Sequence, residues 1–236
     1  MLHLLVYLRR HESKIEEATG KESIFRFPGA EEIEARVYLP LKDIRGRLHE
    51  IIDRDDFDPT HFTEMNDASI AFSLRCHGHE VLLTGDSTLS QWGEHRRQMK
   101  RGGVYNLEAD FLKVPHHGSK NNNNEDLYSY FFRQKGDGKH VFISADGREH
   151  PHNELFSLVH DYGLKPHCTN LSRYCIPLSA GKLRPMHEIP PPLRNVLANY
   201  IEEIPIPCQG DITLTIGASG FSVTTINDML CAYRQV

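Results

Sequence analysis

Apolar residues along this chain come in short runs, and the spacing inside each run predicts what it builds. Continuous runs of three or four bounded by turn residues read as buried strands, while apolar positions three and four apart read as one helix face. Leu4, Leu5 and Leu8 share a face of a predicted helix over residues 1–20, closed by Gly20. A strand over 35–40 stops at Pro40, and residues 42–54 form a charged helix with Ile44, Leu48 and Ile51 on one side. Residues 55–67 are polar, carry Pro59 and read as a loop.

From residue 69 the rhythm becomes regular. Runs over 69–74 and 80–84 flank Cys76, His77, Gly78 and His79, which predicts a hairpin. Its first strand alternates and its second is continuously apolar, so the second lies deeper in a sheet. A helix follows over 87–101, with Ser87 or Thr88 as its cap and Gly102 and Gly103 at its end. Strand 111–114, helix 125–134, strand 139–144, helix 151–162 with Pro151 in its first turn, and strand 166–170 continue the alternation. This predicts an α/β layer architecture, with an N-terminal helical segment over 1–34 ahead of the unit 35–236. Seven prolines interrupt the rhythm over 171–208, read as a surface insert around a helix-capable stretch at 193–202. The chain closes on a hairpin, 211–216 and 221–226, turned through Gly217 and Gly220.

Composition changes little in this picture. With 39% hydrophobic and 25% charged residues, the 236-residue chain sits in the globular range. A net charge of −5 supplies no global field for nucleic acid, although a local basic groove or bound cation would. Five scattered cysteines with no CxxC pair read as reduced thiols, and the N-terminal apolar patch is too short to span a bilayer; both fit a cytoplasmic protein without a membrane segment.

The candidate chemistry lies where strands end. Asp86 follows Gly85 at the end of one apolar run, where its two oxygens can reach metal ions or cap the next helix. His116 and His117 follow the run 111–114, and Gly118 and Ser119 follow them. Successive side chains on a strand diverge, so in a turn one histidine ligates and the other serves substrate, unless the two are only a surface pair. Exposed amides at Gly118 and Ser119 would suit a phosphate. His150 and His152 sit at a third strand-to-helix loop, and loops after parallel strands gather at one sheet edge.

Asn66-Asp67-Ala68-Ser69, the run from Leu82 to Asp86, the block from Ala109 to Ser119, Ile143-Ser144-Ala145 and His150-Pro151 together resemble the second half of metallo-β-lactamase-fold hydrolases. The likeness is in particular to the soluble domain of ComEC-type DNA-uptake competence proteins and their stand-alone relatives, over about residues 35–170 plus the closing hairpin. It implies an αββα sandwich with two zinc or manganese ions, in which a metal-bound hydroxide attacks a phosphodiester or another ester. By motif, Asp86 is a bridging ligand and one of the adjacent histidines, taken as His117, ligates one ion. His116 and His150 then contact substrate or transfer protons, and Ser119 and Lys120 bind substrate.

The chain departs from that pattern in one respect. The family's first half carries a His-x-His-x-Asp-His ligand string, which occurs nowhere in these 236 residues. The expected fold is therefore half or more of the sandwich, with the first half truncated. The expected function is the C-terminal part of a phosphodiesterase or nuclease, inactive alone until a preceding segment or partner chain supplies the missing ligands. A non-catalytic binding or assembly module derived from the same fold is the alternative, and a rearranged ligand set of His61, His77 and His79 is a third.

Overall fold

The computed structural model describes residues 24–27, 30–41, 43–44, 65–135, 138–146, 149–172, 175–178, 182–185 and 207–228. The helices expected at 1–20, 42–54 and 193–202 fall wholly or almost wholly outside these residues. A seven-stranded sheet forms the centre, built from β1 (Ile24–Phe27), β2 (Ala30–Leu39), β3 (Ala71–Cys76), β4 (His79–Leu83), β5 (Phe111–Lys113), β6 (His140–Ile143) and β7 (Lys165–Cys168). The strands lie side by side in chain order. β1 to β4 form an antiparallel meander, and β4 to β7 are parallel.

Parallel neighbours need crossovers, supplied here by α1 (Leu89–Arg101), α2 (Glu125–Phe131) and α3 (Asn153–Asp161). Because β4 to β7 advance in one direction and such crossovers are right-handed, all three helices fall on the same face. That face holds the core, where Leu82, Leu112 and Val141 of the sheet meet Trp92, Phe131, Leu155 and Val159 of the helices. Trp92 packs edge-on against Phe131 with centroids 4.9 Å apart, and its indole N–H donates to the Ser87 hydroxyl at 2.7 Å. The Thr88 hydroxyl caps α1 by accepting from the Gln91 amide at 3.4 Å.

The other face of the sheet is covered only in part among the described residues. Phe72, Leu74, Val81, Leu83 and Phe142 are half-buried there. A separate hairpin, β10 (Ile212–Gly217) and β11 (Gly220–Thr225), lies over the same face through Phe221, whose ring meets Phe111 at 4.8 Å, His140 at 5.3 Å and His79 at 5.4 Å. Between hairpin and sheet runs an open cleft of about 530 Å³ whose lining includes Val81, Leu83, Lys113, Phe142, Ser144 and Leu214.

The described elements match the expected alternation from residue 69 to 226 to within a few positions. Two differences stand out. Residues 24–27 and 30–34, grouped by sequence with an N-terminal helical segment, form β1 and the first half of β2; the glutamates at 32 and 34 sit on a strand near the sheet edge, where charge is tolerated. Inside the proline-rich stretch 171–208, residues Cys175–Leu178 and Lys182–Pro185 pair as a hairpin, β8 and β9. Pro151 precedes α3 rather than opening it, and His152 is the N-cap. Cys76 is a free thiol.

Candidate metal centre

The parallel strands deliver their following residues to one edge. β4 continues through Thr84 and Gly85 to Asp86, β5 through Val114 and Pro115 to His116 and His117, and β6 to Ser144 and on toward His150. The strand ends are stitched together beyond the ladder. The Thr84 hydroxyl donates to the Lys113 carbonyl at 2.6 Å, the His116 amide to the Gly85 carbonyl at 3.0 Å, and the Val114 amide to the Phe142 carbonyl at 3.0 Å.

His116 and His117 sit in a 3₁₀ turn, Pro115–Gly118, with left-handed φ values of 45° and 54°. Such a conformation costs a non-glycine residue roughly 1–2 kcal/mol, so the surroundings must hold it. They do so through asparagines. The Asn123 side-chain amide donates to the carbonyls of Pro115 and Ser119 at 3.1 and 2.8 Å, and that of Asn122 to the Ser87 carbonyl at 3.0 Å. Asn124 caps α2, accepting from the Leu127 amide at 2.9 Å. A run that reads in sequence as low complexity is the brace of the histidine turn.

The broken strand geometry brings both histidines beside the third loop. The His150 ring lies 5.5 Å from His116 and 6.5 Å from His117, centroid to centroid. Asp86 completes the cluster, its Oδ1 3.8 Å from His117 Nε2, with both side chains more than a third exposed. The Asp86 amide is held by the Ser69 hydroxyl at 3.2 Å. His117 Nδ1 bonds the Ser144 carbonyl, with the Ser144 hydroxyl 3.2 Å away. Burial pushes the His116 imidazole below the usual histidine range, against the opposing pull of Asp86. Burial likewise lowers the Lys113 ammonium, whose Nζ donates to the Gly85 carbonyl at 3.2 Å beside the same aspartate.

Of the residues singled out by sequence, Asp86, His116, His117 and His150 therefore converge. Ser119 and Lys120 make their contacts elsewhere. Ser119 is buried and its hydroxyl accepts from the Asn121 amide at 3.3 Å, while Lys120 is exposed and pairs with Glu154 at 3.7 Å. His77 and His79 lie at the opposite end of β4 from Asp86, His79 facing Asp110 at 3.7 Å; His61 falls outside the described residues. Sequence reasoning gave no role to Asn66, Ser69 or Ser144 individually. Their partners lie 17 to 50 residues away, which no local pattern reports.

The donor set fits a divalent cation in part. A carbonyl oxygen only accepts, so the neutral His117 ring carries its proton at Nδ1 and turns its Nε2 lone pair toward the Asp86 carboxylate. Two electron-rich atoms opposed at 3.8 Å are complementary to a cation between them, and an imidazole oriented by a backbone carbonyl is the usual arrangement of a metal-ligating histidine. Among the described residues, no three His, Cys, Asp or Glu side chains group as a ligand set.

No family model matches the chain. A stretch of 157 residues is 28% identical to ComE operon protein 3 of Bacillus subtilis (strain 168), covering 65% of this chain and 18% of that protein. The matched part thus spans less than a fifth of that relative. Among the described residues, no helix is long and apolar enough to cross a membrane.

Proposed function

We propose that this chain is the C-terminal part of a metal-dependent hydrolase of the metallo-β-lactamase sandwich, of phosphodiesterase or nuclease type, whose remaining ligands come from another segment or chain. The observation that carries this reading is the pairing of Asp86 with a His117 whose Nδ1 is anchored on Ser144, leaving Nε2 free to coordinate. Likeness to ComE operon protein 3 supports the same reading. Asp86 and His117 would hold the ion, zinc or manganese; when bound, it supplies Lewis acidity and an activated nucleophile at neutral pH. Ser144 keeps the His117 ring in place, and His116 and His150, on the rim beside it, contact the substrate or move a proton. Lys113, whose ammonium lies against the Gly85 carbonyl near Asp86, adds positive charge on the side of the cleft.

Two ligands hold a cation weakly, so a paramagnetic probe suits the isolated chain. Substoichiometric Mn²⁺ is expected to broaden the NMR signals of Asp86 and His117 before others, and Asp86→Asn or His117→Ala to abolish that selectivity. Loss of a ligand should weaken binding by more than the roughly 10–100-fold typical of losing a supporting partner. Adding a separately expressed segment that carries the His-x-His-x-Asp-His string is expected to raise metal content to two ions and to switch on hydrolysis of a phosphodiester. Unselective broadening, with no metal uptake and no hydrolysis after mixing, would overturn the proposal in favour of a non-catalytic module.

A further inference from the structure

The two adjacent histidines face opposite kinds of partner. His117 Nδ1 meets the Ser144 carbonyl oxygen, which can only accept, so the neutral ring has its proton on Nδ1 and its lone pair on Nε2. His116 Nδ1 meets the Asn66 side-chain nitrogen at 3.3 Å, which can only donate. With the Asn66 amide turned this way, the neutral His116 ring accepts at Nδ1 and carries its proton on Nε2. The rings stand 6.1 Å apart and 76° to each other, so two neighbouring residues present a lone pair and an N–H to the same rim.

The segment that supplies Asn66 is tied to the site at each step. Asn66 lies in the 3₁₀ turn Met65–Ala68, closed by the Ser69 amide donating to the Asn66 carbonyl at 3.2 Å. The Asp67 carboxylate accepts from the Thr88 hydroxyl, which itself caps α1. The Ser69 hydroxyl accepts from the Asp86 amide. One short turn thus sets Asp86 by its backbone and His116 by its ring, from a position 50 residues upstream of that histidine.

We propose that Asn66 is a positioning residue that locks His116 as the Nε2–H tautomer, so that the histidine pair divides its work. His117 offers a lone pair to the cation beside Asp86, and His116 offers an N–H to an anionic oxygen of the substrate. The purpose given to that N–H rests on the function proposed above; the tautomers do not.

The test is ¹⁵N NMR of the whole metal-free chain labelled at histidine, at a pH where both imidazoles are neutral. In the unaltered protein His117 is expected with its proton on Nδ1 and His116 with its proton on Nε2. Asn66→Asp replaces the donor with an acceptor and is expected to move the His116 Nδ1 resonance upfield into the protonated range, with His117 unchanged. A His116 already protonated on Nδ1 in the unaltered protein overturns the assignment, as does one whose Nδ1 stays bare in Asn66→Asp. Correct tautomers together with no metal uptake by the completed protein would sink the hydrolase reading alone. Metal-dependent hydrolysis with the wrong tautomers would sink this one alone.

Discussion

At the scale of single residues, burial separates histidines that build the molecule from those at the rim. His95, on α1, is sealed among Tyr38, Trp92 and Tyr130, with ring centroids at 5.2, 5.7 and 5.9 Å and Nδ1 2.9 Å from the Tyr130 hydroxyl. Burial pushes its pKa down to about 4. In the unfolded chain the same imidazole takes a proton near pH ~6.5. Between those values the unfolded state binds the proton and the folded state does not, so stability falls as pH drops. His95 should contribute about 3 kcal/mol that is fully present above pH ~6.5 and gone below pH ~4. Urea unfolding at pH 7, 6, 5 and 4 checks this. Wild type should lose that much more than His95→Gln across the range, and parallel curves for the two proteins would refute it.

At the scale of elements, the histidine turn is legible in the sequence only as a place. His116 and His117 after an apolar run announce a strand end, as Asp86 does after Leu83. What shapes the turn is not announced, because Asn122 and Asn123 act through backbone carbonyls on either side and Ser144 follows another strand. The alternation of strands and helices was readable because each run is short and bounded by turn residues. β1 was not, because four residues, Ile24 to Phe27, are too short a run to show a period once Arg26 interrupts it.

Gly118 joins the turn to α3 and offers a sharp test of that coupling. Its φ is +87°, and a Cβ there would lie 2.7 Å from both Leu155 Cδ2 and Pro151 Cβ. Gly118→Ala should therefore combine left-handed strain of roughly 1–2 kcal/mol with overpacking of roughly 1–3 kcal/mol. Gly103 is the control, with φ +82° and nothing within 4 Å of an added Cβ. Gly103→Ala should lose only the backbone part. Equal destabilisation of the two variants in denaturant unfolding would mean that the close approach of α3 to the turn is unimportant.

At the scale of the whole molecule, the two faces of the sheet are built differently. Sequential right-handed crossovers load one face with α1, α2 and α3, and leave the other to whatever the rest of the chain provides. Among the described residues, β10 and β11 provide it. They form their own two-stranded sheet, tethered where the Cys208 and Gly210 amides donate to the Thr169 carbonyl at 2.9 and 3.1 Å. A lone hairpin is marginal in water, so its order must come from packing on the sheet beneath. Phe221 is the aromatic anchor: its ring stands at 80° to Phe111 and 82° to His140, though 41% of the residue stays exposed.

Phe221→Ala should therefore cost about 1–2 kcal/mol, between the worth of an aromatic pair and that of a partly buried large side chain. The loss should be local, because the helix-side core does not include Phe221. Amide hydrogen exchange is expected to speed up by roughly tenfold across residues 212–225, as 1.4 kcal/mol of opening free energy implies. Amides of β4, β5 and β6, which pair within the central sheet, should keep their protection. Uniform acceleration across both sheets would instead make the hairpin part of one cooperative unit with the core. Local acceleration would identify a second layer that this chain begins with two strands, on the face of the sheet that adjoins Ser144 and the candidate metal centre.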